Sequence, residues 1–212
     1  MKDLAIIGSG DFAREIAAVV ERINQEKETW NLLGFLDEEK SAGTKVDEYP
    51  VLGGISWLDE HPDTYVICST GTGRMRKKII EEELRGKKVK FATLIDPGAV
   101  LIKDCKIGEG SLVSAGCVLA INSTVGNHVI VNLSCTLGHD SVASDYCTIN
   151  PGVNISGKVI LEECVDVGTG TKIIQGKNVC QGVTLGAGSV VVKDITEAGT
   201  YVGVPAKRIQ KK

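Results

Sequence analysis

The chain has 212 residues, with 24 Lys+Arg against 27 Asp+Glu, and its net charge of −3 implies no general polyanion-binding surface. No stretch approaches the roughly 20 apolar residues of a membrane span, and Met1-Lys2-Asp3-Leu4 runs straight into a strand-like segment, so no secretory leader is expected. Seven cysteines without a CxxC pair suggest reduced thiols in a cytoplasmic setting rather than a disulfide frame.

Leu4-Ala5-Ile6-Ile7 reads as a buried strand. Gly8-Ser9-Gly10-Asp11-Phe12-Ala13 turns it into a helix with Ile16, Ala17, Val19, Val20 and Ile23 on the apolar face. Leu32-Leu33-Gly34-Phe35-Leu36 is a second strand ending at Asp37, and Tyr65-Val66-Ile67-Cys68 is another. Ser69-Thr70-Gly71-Thr72-Gly73 then leads into a charged helix from about residue 74 to 85, and Val89-Lys90-Phe91-Ala92 starts the last strand. Alternating β and α with glycines after strands predicts a small doubly wound, Rossmann-like parallel sheet over residues 1–94.

The turn Gly8-x-Gly10-x-x-Ala13 can hold phosphate on its backbone N–H groups at a helix N-terminus, or it is simply a tight turn. Asp37 would accept hydrogen bonds from a ribose or base, and Gly71 and Gly73 fall on the same sheet edge. The expected crevice therefore involves Gly8, Gly10, Asp11, Phe12, Asp37, Gly71 and Gly73. A full dinucleotide fold needs two such halves, and 94 residues supply little more than one. A mononucleotide or nucleotide-sugar is the expected ligand, rather than NAD.

Composition changes at Ile95-Asp96-Pro97-Gly98. Seven of nine aromatics precede it, and 16 of 25 glycines follow it. From Ile95 to Val191 every sixth residue is Leu, Ile or Val, with Ala143 the single exception in 17 positions. Four residues further on, the chain is usually small or β-branched, as at Cys105, Ser111, Cys117, Ser123, Cys135 and Cys147. A period of six without insertions predicts a parallel β-helix over residues 95–212, counting the C-terminal tail. Three hexads make one triangular coil, and an 18-residue gap means stacked directly above, about 4.8 Å away. The cysteines then read as small buried hydrophobes.

One polar pair stands out on this prism, His139-Asp140 after Gly138. His139 lies two past the inward Leu137, on an outward corner. Adding 18 reaches Gly157, whose N–H would lie one coil above the imidazole, where it can donate to a carbonyl gaining charge. His139 is either a general base or a solvated corner residue, as His128 and His61 are expected to be.

Ala5-Ile6-Ile7-Gly8-Ser9-Gly10, Gly34-Phe35-Leu36-Asp37, Pro50-Val51-Leu52-Gly53-Gly54, the hexad array, Gly138-His139-Asp140, Ile149-Asn150-Pro151-Gly152 and Gly203-Val204-Pro205-Ala206-Lys207 occur in one order along the chain. In these the chain resembles the left-handed β-helix sugar acetyltransferases, the group of the sialic acid O-acetyltransferase and the bacillosamine-pathway N-acetyltransferase. The resemblance implies a left-handed prism, a cytoplasmic homotrimer without nucleic-acid or membrane partners, and acetyl-CoA held between adjacent prisms. It implies a nucleotide-sugar on the N-terminal domain, accepting acetyl at an amino or hydroxyl group by direct transfer. By the same resemblance His139 is the base, Asp140 orients it, Gly157 faces the thioester carbonyl, and Asp37 contacts the nucleoside. Thr148, Thr169, Ala187 and Lys207 fall at expected acetyl-CoA contacts, with Arg208 beside Lys207. Asp11-Phe12-Ala13 stands where several relatives have Gly-His-Gly, and Thr148 where some have a second histidine. No metal is expected, since a zinc hydratase on this solenoid needs three histidines and the repeat has His128 and His139 only. A non-catalytic trimeric scaffold that binds a sugar nucleotide is the alternative.

Overall fold

A computed structural model of the chain describes residues 1–209; the last three residues of the expected tail lie outside the described residues. The N-terminal part runs β1 (Lys2–Ile7), α1 (Asp11–Glu26), β2 (Trp30–Leu36), β3 (Lys45–Val46), β4 (Tyr49–Gly53), a 3₁₀ turn, β5 (Tyr65–Cys68), α2 (Gly73–Lys78) and β6 (Lys90–Phe91). Its sheet order is β3-β4-β2-β1-β5-β6. All neighbours are parallel except the β3–β4 hairpin, which the sequence pattern did not reveal as strands. The apolar face of α1 does what its spacing requires: Ile16 and Val20 bury fully against Leu4, Ile6 and Phe35. The expected charged helix stays α-helical only to Lys78. A π-type turn over Ile79–Glu83 follows and brings Leu84 into the cluster of Ala5, Val66 and Cys68.

The rest of the described chain is the parallel β-helix. Seventeen two-residue strands, six residues apart, run from Leu94–Ile95 to Val190–Val191. They form three parallel faces. Face A stacks the strands that begin at residues 94, 112, 130, 148, 166 and 184; face B those at 100, 118, 136, 154, 172 and 190; face C those at 106, 124, 142, 160 and 178. The second residue of each strand points inward, and from Val113 to Val191 these residues form one buried cluster. Ile95 and Leu101 are over a third exposed because they belong to the open first coil.

Corners repeat as faithfully as strands. Every sixth residue from Asp104 to Gly188 has a left-handed backbone, with φ between 53° and 73°. Eight of these 15 positions are not glycine, Asn122, His128, Asp140 and Tyr146 among them. Each such residue costs roughly 1 kcal/mol or more, offset by the inter-coil ladder of backbone hydrogen bonds. Cys117, Cys135 and Cys147 fill the interior as small groups, donating from Sγ to the carbonyls of Asn132, Asn150 and Glu162. All seven cysteines are unpaired thiols. Beyond the hexads, Thr200–Val202 extends face A and pairs antiparallel with Lys207–Ile209, a hairpin the periodicity did not predict.

The strand Leu94–Ile95 straddles the expected domain boundary. Leu94 joins the N-terminal core, while Ile95 pairs with Val113 in the prism. The N-terminal domain sits on face A, where Leu112 and Ile130 share a cluster with Ile16, Val19 and Val20. This docking overturns one expectation. His128 is not a solvated corner: it is buried between Phe91, edge-on at 4.6 Å, and Tyr146, stacked at 5.2 Å. His61 is half-buried, stacked on Trp57 with Nδ1 2.9 Å from the Trp57 carbonyl. No helix among the described residues is long and apolar enough to cross a membrane.

Candidate active site

His139 and Gly157 lie where the period placed them, on the corner between faces B and C. Asp140 takes the left-handed position of that corner, φ 57°. This backbone turns its carboxylate beside its neighbour, so His139 Nδ1 lies 2.9 Å from Asp140 Oδ2. One coil below, the Asn122 amide donates to Asp140 Oδ1 at 3.0 Å. The imidazole and this amide hold the Asp140 carboxyl below the usual carboxylate range. An anionic Asp140 accepts from Nδ1–H, which leaves Nε2 as the free, basic nitrogen. The ring packs against Gly157: a Cβ there would come within 2.7 Å of His139 Cδ2 and Cε1 and closer still to Nε2. Glycine at 157 is what gives the imidazole room. Among the described residues the Gly157 N–H donates to no other group.

The N-terminal crevice forms at the ends of β1, β2 and β5. Ser9 donates to Asp37 Oδ2, and Glu39 N donates to Oδ1 at 2.9 Å. Burial opposes ionisation of Asp37, yet the Ser9 hydroxyl, the Glu39 and Lys40 amides and the Lys40 charge hold its carboxyl below the usual range. Lys40 Nζ reaches back to the Ser9 carbonyl at 2.9 Å. Ser9 and Lys40 were not singled out in the sequence, although both flank motif residues. Gly8 has φ 93° and packs on Ser69, so a side chain there has neither conformation nor space. Gly10 and Asp11 are exposed at the start of α1. Asp11 lies 3.5 Å from Arg14.

A cleft of about 220 Å³ opens between the domains, lined by Phe12, Gly71, Ile130, Asn132, Thr148 and Asn150. Thr148 thus stands with the crevice residues Phe12 and Gly71 on face A rather than beside His139. Its hydroxyl donates to the Gly71 carbonyl at 2.7 Å and accepts from Arg76. Gly73 is buried under the prism, its N–H bonded to Asp166 Oδ1 at 3.1 Å. Thr169 and Ala187 are exposed and lie one above the other on the corner between faces A and B, a different edge from His139. Lys207 is exposed, while Arg208 is engaged with Glu197 at 2.7 Å and the Ala198 carbonyl at 2.9 Å.

Residues 3–82 match the PglD N-terminal domain family. The whole chain is similar to the acetyltransferase domain of PglB from Neisseria gonorrhoeae FA1090, with 31% identity and a TM-score of 0.88 over 99% of this chain and 100% of that one. That domain is also described in complex with acetyl coenzyme A. Perosamine N-acetyltransferase from Caulobacter crescentus, described in complex with CoA and GDP-perosamine, matches at 27% identity and a TM-score of 0.89 over 100% of this chain and 98% of that one. A 52-residue stretch is 50% identical to a serine acetyltransferase of Buchnera aphidicola, covering 24% of this chain and 20% of that protein. The chain spans about a fifth of the length of that relative.

Proposed function

The chain belongs to the left-handed β-helix sugar acetyltransferases, and from that premise we propose that it transfers the acetyl group of acetyl-CoA to the amino group of a nucleotide-activated amino sugar. The observation that carries the reading is the His139–Asp140–Gly157 arrangement: a basic nitrogen held in one tautomer beside a backbone N–H without a partner among the described residues.

Chemistry follows from that geometry. The sugar amine attacks the thioester carbonyl carbon while His139 Nε2 takes its proton. Charge developing on the carbonyl oxygen is met by the Gly157 N–H. The C–S bond then breaks, and the imidazolium returns its proton to the departing thiolate. No covalent enzyme intermediate is needed, and among the described residues no Ser or Cys is hydrogen-bonded to the His139 ring. Asp140 keeps Nδ1 protonated and stabilises the imidazolium.

The nucleotide would lie in the crevice of Gly8, Gly10, Asp37 and Gly71, with its diphosphate on the N-terminus of α1 and Asp37 toward the nucleoside. Gly73 serves packing there rather than contact. A homotrimer is supported by the division of the site among three regions of one chain. The crevice is on face A, Thr169 and Ala187 mark the A/B corner, and His139 marks the B/C corner. An acetyl-CoA lying between two copies would meet the A/B corner of one and the B/C corner of the other. Exposed Val100, Ile102, Val118, Ile121 and Leu133 lie on face B and its two flanking corners, the surface such packing covers. Seven free thiols support a reducing, cytoplasmic location.

The test is thiol release from acetyl-CoA against UDP-, dTDP- and GDP-linked 4-amino sugars and sialic acid, with His139→Ala as control. Turnover on one amino-sugar nucleotide is expected. Turnover on sialic acid alone would move the acceptor to a hydroxyl. Silence together with no acetyl-CoA binding would favour the scaffold.

A further inference from the structure

The largest fully buried side chain in the protein is a charged one, Arg76 of α2, 1% exposed. Burial works against its charge, and its partners among the described residues are carbonyl and hydroxyl oxygens rather than carboxylates. Instead its guanidinium spans the two domains. Nε donates to the His128 carbonyl at 2.7 Å, and Nη2 to the carbonyls of Tyr146 at 3.1 Å and Cys147 at 3.0 Å and to Thr148 Oγ1 at 3.0 Å. Those four acceptors belong to two successive coils of the prism. Nη1 turns the other way, to the carbonyls of Thr70 at 2.6 Å and Gly71 at 3.4 Å. The loop after β5 is therefore tied to the rigid coils through one planar group. Two further ties close it: Thr148 Oγ1 to the Gly71 carbonyl and Asp166 Oδ1 to the Gly73 N–H.

Apolar packing alone does not require this arrangement. Leu112 and Ile130 already hold α1 on face A with carbon side chains, and a buried cation costs free energy that a Leu or Met would not. What a carbon side chain lacks is five N–H donors in a fixed fork. The fork fixes the position of Gly71, and Gly71 with Phe12, Asn132 and Asn150 lines the interdomain cleft beside the nucleotide crevice.

We infer that Arg76 is a positioning residue that holds the loop of residues 69–73 in the conformation that binds the nucleotide-sugar, without touching the substrate. The inference rests on the nucleotide-sugar reading given above. It separates two halves of the catalytic cycle. Loosening the loop weakens sugar-nucleotide binding and leaves the His139 corner, on another edge of the prism, unchanged.

The variants are Arg76→Lys, which keeps the charge but cannot span the acceptors, and Thr148→Val, which removes one hydroxyl tie at constant shape. Steady-state kinetics with the amino-sugar nucleotide that the wild type uses, and hydrogen–deuterium exchange of residues 69–73 without substrate, are read on both. For Arg76→Lys the sugar-nucleotide KM is expected to rise about tenfold and loop exchange to quicken about tenfold, with kcat and the acetyl-CoA KM within threefold of wild type. Thr148→Val is expected to move the same two readouts by about threefold, and it decides the matter if Arg76→Lys does not fold. An unchanged sugar-nucleotide KM or unchanged loop exchange in the folded variants overturns the inference. So does an equal rise in the acetyl-CoA KM, the outcome expected if Thr148 contacts acetyl-CoA. A wild type silent on every sugar nucleotide defeats the proposed function instead, and loop exchange alone then decides the role of Arg76.

Discussion

Replacing Gly157 by alanine adds a single methyl group at the point where the catalytic geometry is tightest. The new Cβ lies 2.7 Å from His139 Cδ2 and Cε1, against an ordinary contact of 3.4 Å or more. The ring must therefore retreat by about 0.7 Å at those atoms and by about 1 Å at Nε2, where the approach is closer. It is free to do so, because the His139 side chain is 46% exposed on its corner. The backbone at 157 lies outside the left-handed region, so alanine is conformationally acceptable. Stability should fall by less than about 1 kcal/mol. Catalysis should suffer far more, since a displacement of about 1 Å can cost on the order of 10²-fold in rate. The methyl also crowds the space through which the Gly157 N–H would reach a carbonyl oxygen. We expect Gly157→Ala to lose about 10²-fold in kcat, with its Tm close to wild type and acetyl-CoA still bound by calorimetry. A folded Gly157→Ala with kcat within threefold of wild type would refute the reasoning, for both the base and the oxyanion donor depend on the same close approach.

His139→Ala should reduce kcat by about 10²–10⁴-fold while changing stability by less than about 0.5 kcal/mol, read by thiol release and thermal unfolding. Gly73→Ala puts a methyl group well inside contact distance of the Tyr146 carbonyl, a backbone atom of a rigid coil. It should destabilise the domain junction by about 1–3 kcal/mol, seen as early unfolding of the N-terminal domain in limited proteolysis. His128 is held neutral by burial and by the nearby Arg76 charge, its pKa lowered to about 4. Its folded pKa lies below the unfolded value of 6.5, so the unfolded state binds the extra proton between them. Stability should then be unaffected above pH 6.5, fall by about 3 kcal/mol as pH drops toward 4, and level off below. In His128→Asn, which retains a residue tolerant of the left-handed corner, that part of the pH slope should vanish from denaturant titrations; an unaltered slope would show that His128 is not its source.

Much of the molecule was legible in the residues because its order is local and periodic. Ile95 through Val191 name the inward stripe one hexad at a time, and 139 plus 18 is enough to set Gly157 one coil above an imidazole. The strand–turn–helix of Leu4 to Val20 and the acid at Asp37 follow from spacing as well. Ser9 as the partner of Asp37, and Lys40 as the partner of Ser9, were missed because nothing in a lone Ser or Lys announces a hydrogen bond across 28 or 31 residues.

What the tertiary structure alone decided is how the two domains meet. Arg74, Arg76 and Lys77 read only as part of a charged helix, and in the structure they grip the Gly182 carbonyl, the carbonyls of His128 and Tyr146, and Glu163 on successive coils of one corner. That docking buries His128, turns Thr148 toward Gly71, and leaves His139 on a separate edge. The physical reason is that a repeat writes its contacts at a fixed interval along the chain. A domain interface instead joins surfaces 50 to 110 residues apart, with no period, and charged side chains satisfied by backbone carbonyls leave no complementary residue in the sequence to find.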